Sequence, residues 1–186
     1  MGAKELLKDA KHRMDKSVEA FVNELSKIRT SRATPALLDT VKVDYYGQQV
    51  PLSQAATISA PEPRMLVVQP WEKKMLAEIE KAVLKADLGL NPGNDGTIIR
   101  IPIPQLSEER RKDLVKLVHR FAEEGRVAVR NIRRDVNDGL KKLEKSHEIS
   151  EDQMHNELDD VQKMTDEHIK KLDEIMANKE KEVLEV

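Results

Sequence analysis

The chain has 186 residues, of which 35% are charged and 39% hydrophobic, and its formal net charge is -2. This near-balance excludes a histone-like polycation, and the absence of cysteine excludes disulfides, thiol catalysis and cysteine metal sites. No apolar run approaches the ~18 residues of a membrane-spanning helix, and the first residues lack the apolar centre of a signal peptide. The composition therefore predicts a cytoplasmic protein with long solvated helices and no membrane contact.

The distribution of proline divides the chain into regions. All 8 prolines lie between Pro35 and Pro104, and a proline inside a helix costs ~3 kcal/mol. We therefore expect helical arms on both sides of a different middle region. The predicted fold class is α+β, in which residues 1–30 plus 106–186 form an elongated three-helix bundle and residues 31–105 form an inserted small β/α/β domain.

The arms contain three apolar stripes with helical spacing, each of which must be buried against another element. Ser107 is placed to cap the second helix, and Ser150 with Gln153 has the pattern of a capping box for the third. The short break near Ser146 predicts an antiparallel hairpin. The stripes are Leu7, Ala10, Met14, Val18, Phe21, Leu25 and Ile28; Leu114, Val118, Phe121, Ala128, Ile132, Val136 and Leu143; and Met154, Leu158, Val161, Ile169, Leu172 and Met176.

The middle region has the spacing of strands around a helix. Alternating apolar residues predict a strand over residues 41–45, and a short apolar run predicts another over residues 65–69. Residues 72–87 have helical spacing, and alternation over residues 99–103 predicts a last strand.

Two linkers join the predicted domains. A domain held by two strands of chain moves less freely than one held by a single strand, so the linkers predict a hinge rather than free tumbling. The hinge residues are Thr30, Ser31, Arg32, Ala33, Thr34 and Pro35 on one side and Ile103, Pro104, Gln105 and Leu106 on the other.

The most informative stretch is R-V-A-V-R-N-I-R-R-D, residues 126–135. It lies in a region of 12 Lys+Arg against 8 Asp+Glu, residues 107–146, whereas residues 147–186 carry 5 against 13. At ~100° per residue, Arg126, Arg130 and Arg133 share one sector of the helix, opposite the apolar stripe. The planar donor fork of arginine suits phosphate, so this outward stripe predicts contact with nucleic acid.

The alternative is a solvated face neutralised by the acidic third helix. Two observations favour phosphate binding: no acid interrupts the four arginines of residues 126–134, and no acid lies four residues before Arg130 or Arg133 to pair with them. A second basic cluster contains Lys27, Arg29 and Arg32, where Lys27 fits a favourable contact with a helix C-terminus.

Gly125 interrupts the same helix on its apolar side. Glycine in a helix interior costs ~1 kcal/mol relative to alanine. The sequence therefore predicts that Gly125→Ala raises the melting temperature without changing function.

The search for catalytic chemistry is negative. The sequence contains no nucleophile elbow, no zinc-protease motif and no phosphate-binding loop. The five histidines have no convincing ligand spacing, which favours surface or helix-packing roles. We therefore predict a monomeric binding and mechanical protein that is not an enzyme and has no cofactor or metal.

Several long motifs resemble the bacterial ribosome recycling factor family. They are K-I-R-T-S-R-A-T-P (27–35), V-D-Y-Y-G (43–47), D-L-G-L-N-P (87–92), L-S-E-E-R-R-K-D-L (106–114) and R-V-A-V-R-N-I-R-R-D (126–135). They occur in the order of the family and extend over nearly the whole chain. The chain departs from the family at two positions. Ser31 stands where glycine is common. Gly139 stands where lysine is common, so this chain lacks a basic group at one end of the stripe.

The resemblance implies an L-shaped pair of domains joined by a two-stranded hinge. It implies a factor that binds the ribosome after termination and, with elongation factor G and GTP, separates the subunits for a new round of translation. It places the principal contacts with large-subunit rRNA on Arg130 and Arg133, and we add Arg126, Arg29 and Arg32 from matched motifs. The small domain is expected to face the partner GTPase.

A different class of function stays open at this point. A helical adaptor or chaperone that binds proteins could carry the same arginines as a solvated face. Ribosome co-sedimentation that falls with salt would separate the two hypotheses, because an adaptor has no reason to follow the large subunit.

Overall fold

Four α-helices and six β-strands follow one another within residues 2–185, the part of the chain that this computed structural model describes. The mixture confirms the predicted α+β class. The helices are α1 (Ala3–Ser26), α2 (Leu76–Lys85), α3 (Glu108–Lys145) and α4 (Glu151–Leu184). The strands are β1 (Lys42–Tyr45), β2 (Gln48–Pro51), β3 (Ala56–Glu62), β4 (Met65–Pro70), β5 (Gly93–Asn94) and β6 (Ile99–Pro102).

The described residues divide into two units. The helical unit contains residues 2–29 with Ser107–Glu185, and the small unit contains Thr30–Leu106. In the helical unit α1, α3 and α4 pack against one another, and the 38 residues of α3 extend for ~57 Å. The buried residues of the three helices are Ala10, Met14, Phe21 and Leu25; Leu114, Val118, Ala122, Gly125, Val129, Ile132, Val136, Leu140 and Leu143; and Val161, Thr165, His168, Leu172 and Val183.

The buried face of α3 is rotated from the predicted stripe. Phe121 and Ala128 are only partly buried, whereas Ala122 and Val129 are fully buried. The prediction was wrong here because a large aromatic residue suggested the core, while close packing of three helices favours the smaller side chains at the centre.

The helix ends follow the sequence signals. The Ser107 hydroxyl accepts a hydrogen bond from the Arg110 amide at 3.1 Å. At α4 the Gln153 amide donates to the Ser150 hydroxyl at 3.2 Å, and the Ser150 amide donates to Gln153 Oε1 at 3.0 Å. Both predicted caps are therefore confirmed, and each satisfies amide donors that have no partner inside the helix.

The small unit contains two antiparallel sheets. Strands β1 and β2 form a hairpin, and the second sheet has the order β3-β4-β6-β5. Buried residues of α2, including Ile79 and Val83, pack with Leu66, Ile99 and Ile101 of the sheet in one core. The sequence predicted β1, β4 and β6 near their observed positions.

Strands β2, β3 and β5 were missed. Strand β2 contains two glutamines and ends at Pro51, and β3 contains Pro61. Strand β3 lies at the edge of its sheet, where a proline interrupts no central ladder, and its pairing shifts register between Ser59 and Glu62. Edge strands of this kind carry too little apolar alternation to be recognised from the sequence.

Candidate nucleic-acid interface

Arg126 and Arg133 lie on the flank of α3 that faces α4, whereas Arg130 and Arg134 bond to side chains of α3 itself. We call the four the arginine cluster: Arg126, Arg130, Arg133 and Arg134. The first three are partly buried, and Arg134 is exposed. The prediction of a stripe opposite the core was therefore wrong in orientation, because the true buried face of α3 lies closer to this flank than the predicted stripe did.

Arg126 is held at the interface of α3 and α4. Its side chain is only 18% exposed. Nε and Nη2 donate to Asp173 Oδ1 at 2.8 and 2.6 Å, and Nη1 donates to Glu123 Oε2 at 2.9 Å. Two carboxylates therefore neutralise Arg126, and one of them, Asp173, ties α3 to α4.

Arg130 shares one of those carboxylates. Its Nη1 donates to the other oxygen, Glu123 Oε1, at 3.1 Å, and its side chain is 41% exposed. The pKa of Glu123 is lowered, first by its hydrogen bond with Arg126 and also by the one with Arg130. Glu123 is thus an anion between two guanidinium groups.

Arg133 has a neutral partner. Its Nη1 donates to Gln162 Oε1 of α4 at 3.0 Å, and Gln162 Nε2 donates in turn to Asp166 Oδ1 at 2.8 Å. Within residues 2–185, no carboxylate lies at ion-pair distance from Arg133. The charge available to an outside anion therefore rises from Arg126 through Arg130 to Arg133.

The partners of the arginine cluster were missed by sequence analysis. Glu123 precedes Arg130 by seven residues, or two helical turns, and a search at that spacing would have found it. Asp173 and Gln162 lie on α4, and their position opposite α3 depends on the packing register of two helices. No local pattern in the sequence carries that register.

Arg29 and Arg32 do not join this cluster. Both are exposed, but Arg29 belongs to the helical unit and Arg32 to the small unit. Leu6 of α1 packs near Gly139 of α3, and Arg13 pairs with Asp135, so α1 runs antiparallel to α3. Arg29, after the end of α1, therefore lies toward the start of α3, about 20 Å along the helix axis from Arg130.

Gly139 lies on a different side of α3 from the arginine cluster. A Cβ at this position would be 3.1 Å from Leu6 Cδ1 of α1. The expectation that Gly139 removes a basic group from the stripe was therefore wrong, since a lysine there would begin at the interface with α1.

The predicted hinge residues are not equally free to move. Ala33 and Ile103 are buried in the core of the small unit. The Ala33 amide donates to the Pro63 carbonyl at 2.7 Å, and the Ile103 amide donates to the Arg64 carbonyl at 2.9 Å. These two positions of the predicted hinge are therefore anchored in the small unit.

An aromatic cluster occupies the surface of the small unit. Tyr45 and Tyr46 donate to the two carboxylate oxygens of Glu72 at 2.6 and 2.8 Å. Lys74 donates to the Tyr46 hydroxyl and pairs with Glu72 at 3.0 Å. These bonds lower the pKa of Glu72 to about 2, and the hydrogen bond from Tyr45 has the largest effect. Tyr46 is nonetheless 68% exposed, and the neighbouring Trp71 is 61% exposed.

A histidine and an aspartate connect α4 to α1. His168 is buried, with Nε2 2.7 Å from Asp15 Oδ1 and Nδ1 2.7 Å from the Met164 carbonyl oxygen. The hydrogen bond with His168 is the main cause of the lowered pKa of Asp15, followed by that with Lys11. His168 therefore has a packing role between helices.

Within residues 2–185, no group of three or more acidic or histidine side chains could hold a metal ion. None of the described helices combines the length and the apolar character that crossing a membrane requires.

Known proteins resemble this chain along its whole length. The sequence matches the family described as ribosome recycling factor over residues 21–184. The ribosome-recycling factor of Geobacillus sp. strain WCH70 is 58% identical over 182 residues, which cover 98% of each chain. That of Bacillus licheniformis is 56% identical over 182 residues with the same coverage.

Solved structures give the same result. A solution structure of a ribosome recycling factor has a TM-score of 0.74 and 42% identity, and the match covers 100% of this chain and 99% of the other. A T. thermophilus ribosome recycling factor, described with E. coli elongation factor G bound to the E. coli post-termination complex, has a TM-score of 0.66 and 52% identity over 100% of both chains.

These relatives define a class of non-enzymatic factors in protein synthesis. Within that class, the chain belongs to the ribosome recycling factor family. Its function is ribosome recycling, as the sequence motifs predicted, and the alternative of a protein-binding adaptor without a ribosomal role was wrong.

Proposed function

We propose that this chain binds large-subunit rRNA through Arg130 and Arg133 and, with elongation factor G and GTP, separates the subunits of the post-termination ribosome. The observation that supports the contact is the guanidinium of Arg133, which is fixed by a neutral glutamine and keeps its full charge. In this proposal Arg126 supports the cluster from the α3–α4 interface, and the exposed Arg29 and Arg32 add contacts outside it. The factor acts as a cytoplasmic monomer.

Replacing Arg133 tests the contact. A hydrogen bond between charged partners is worth about 1.5–3 kcal/mol, so Arg133→Ala should weaken binding to the large subunit about tenfold or more. Arg133→Lys should rescue only part of this loss, because the planar fork is absent. Circular dichroism should show unchanged helicity. Arg120→Ala is the matched control, since Arg120 lies on the same helix, is exposed and pairs only loosely with Glu124 at 3.7 Å.

The salt dependence of binding gives a second measurement. If about four to five phosphates are contacted, log K against log salt should have a slope near -3 to -4. Wild-type affinity in the Arg133→Ala protein, or a flat salt dependence, would overturn the proposed rRNA contact.

We propose that the small unit receives elongation factor G on the surface around Tyr46 and Trp71. Aromatic residues make up only 3% of the chain, yet the side chains of these two are mostly exposed. Tyrosine and tryptophan are enriched among the residues that dominate protein interfaces. The charges of the neighbouring Glu72 and Lys74 cancel each other. Because the surface then has no excess positive charge, it suits a protein partner better than an RNA backbone.

The concentration of elongation factor G that gives half-maximal subunit separation tests this surface. Tyr46→Ala and Trp71→Ala should each raise it about tenfold, while ribosome binding without the GTPase stays unchanged. Leu84→Ala is the control, because Leu84 is an exposed apolar residue of α2 in the same unit. If both aromatic variants need the same concentration of elongation factor G as the wild type, the proposed surface is wrong.

A further inference from the structure

We propose that Glu123 is a built-in competitor of rRNA phosphate for Arg130, and that Gln162 keeps Arg133 free of such competition. Glu123 would thereby limit how tightly the factor binds, which favours its release after each round. This inference rests on the proposed contact of Arg130 and Arg133 with rRNA, and it assigns roles to two residues that do not themselves bind RNA.

The geometry of Glu123 supports the competition. Its two oxygens are divided between two arginines, Oε2 at 2.9 Å from Arg126 and Oε1 at 3.1 Å from Arg130. Arg126 has a second carboxylate, Asp173, at 2.6 Å. Arg126 can therefore stay in place when Arg130 leaves Glu123, so only one contact must break when a phosphate arrives.

The exposure of the pair makes the exchange feasible. The side chains of Arg130 and Glu123 are 41% and 53% exposed. An exposed ion pair of this kind contributes little to stability. A phosphate can therefore displace Glu123 from Arg130, and the displaced carboxylate then stays beside the bound anion and repels it.

Arg133 shows the opposite arrangement. Gln162 holds its guanidinium by a neutral oxygen at 3.0 Å, and Asp166 accepts from the other end of the Gln162 amide at 2.8 Å. The glutamine therefore orients Arg133 without neutralising it. A glutamate at the same position would give Arg133 the kind of partner that Arg130 already has.

Two variants test the proposal in opposite directions. Glu123→Gln should bind the large subunit about two- to fivefold more tightly at low salt, the range expected from loss of one exposed ion pair, and should dissociate more slowly. Gln162→Glu should bind about two- to fivefold more weakly. The matched controls change the same charge elsewhere: Glu124→Gln on α3, and Asn156→Asp on the exposed side of α4.

A double-mutant cycle separates the possible failures. In an Arg130→Ala background, Glu123→Gln should have no more effect than Glu124→Gln, because its competitor role is gone. If Arg130→Ala alone leaves binding unchanged, both the rRNA contact of Arg130 and the competition are overturned. If Arg130→Ala weakens binding but Glu123→Gln matches Glu124→Gln in the wild-type background, the contact stands and the competition is wrong.

Stability measurements exclude a merely structural explanation. Asp173→Asn should lower the melting temperature with little change in affinity, because Asp173 holds Arg126 between helices. Equal losses of stability in Asp173→Asn and Glu123→Gln, with no gain in affinity for Glu123→Gln, would assign Glu123 a packing role and overturn the proposal.

Discussion

Single side chains determine how much charge each surface of this protein offers. Arg126 and Arg133 belong to one short motif, yet one is neutralised by two carboxylates and the other is held by an amide. Glu72 shows the same principle in the small unit, where two tyrosines and a lysine surround one carboxylate. The identity of a residue therefore sets its chemistry, and its partners set how much of that chemistry is available.

Glu72 should make the small unit sensitive to acid. Its pKa is about 2 in the folded chain, against an ordinary value of 4.5. Because the folded value is the lower one, the stability that Glu72 contributes is present above about pH 4.5 and is lost as the pH falls toward about 2. Glu72→Gln should therefore flatten the fall in stability over this range.

Urea unfolding followed by the fluorescence of Trp71, the single tryptophan, provides the measurement. The pKa of Asp95 also lies at about 2, mainly because the Ile98 amide donates a hydrogen bond to its carboxylate. Asp95 should therefore leave some fall in stability at acid pH even in Glu72→Gln. Glu78→Gln is the control, since Glu78 has only a loose pair with Lys81 at 3.7 Å. The same acid slope in Glu72→Gln and wild type would contradict the prediction.

At the scale of elements, the packing of α3 against α4 depends on small residues at the buried face. Gly125 lies where Leu172 of α4 approaches the backbone of α3: a Cβ on Gly125 would be 3.2 Å from Leu172 Cδ2 and 3.3 Å from Cδ1. Leu172 is itself fully buried. The glycine therefore has a packing role that its helix propensity alone does not reveal.

The contact with Leu172 opposes the gain in stability that helix propensity predicts for Gly125→Ala. The gain in helix propensity is ~1 kcal/mol, but forcing extra volume into a packed core typically costs about 1–3 kcal/mol. We expect a net loss that lowers the melting temperature by about 2–4 °C. Leu172→Val in the Gly125→Ala background should recover part of this loss, since valine has no δ carbons to crowd the new methyl group. A higher melting temperature for Gly125→Ala alone would show that Leu172 can move aside.

At the scale of the whole molecule, two linkers connect the helical unit, which carries the proposed rRNA contact, to the small unit, which carries the proposed surface for elongation factor G. The arginine cluster lies in the helical unit, and the exposed Tyr46 and Trp71 lie in the small unit. If force enters at one unit and the anchor lies on the other, subunit separation requires that the linkers transmit movement. Binding requires only the anchor.

Locking the first linker should therefore abolish separation and leave binding intact. The chain has no cysteine, so Ser26→Cys and Ala36→Cys, one in each unit, can be joined by reducible bis-maleimides of increasing length. The shortest cross-linker that joins the two cysteines should block separation of the ribosomal subunits until the cross-linker is cleaved by reduction. A cross-link within α3, between Lys116→Cys and Arg120→Cys, is the control and should change neither activity. Full separation by the verified cross-linked protein would show that movement at the hinge is incidental.

The sequence by itself determined the elements that depend on local chemistry. Proline positions separated helices from the middle region, and Ser107, Ser150 and Gln153 marked helix starts, because a cap bonds to amides only three residues away. Long motifs identified the family. Strands β2 and β3 escaped because edge strands with exposed faces carry no strong apolar alternation.

Only the tertiary structure decided which side chains of α4 meet the arginine cluster. Residues 126–134 read as one cationic stripe, but Asp173, Gln162 and Asp166 come from a helix that follows a turn, and their alignment depends on how the buried faces of α3 and α4 interlock. The same interlocking placed Leu172 on Gly125, and the packing of α4 against α1 placed His168 beside Asp15. Such contacts join residues distant in sequence through packing, so no spacing within one helix encodes them.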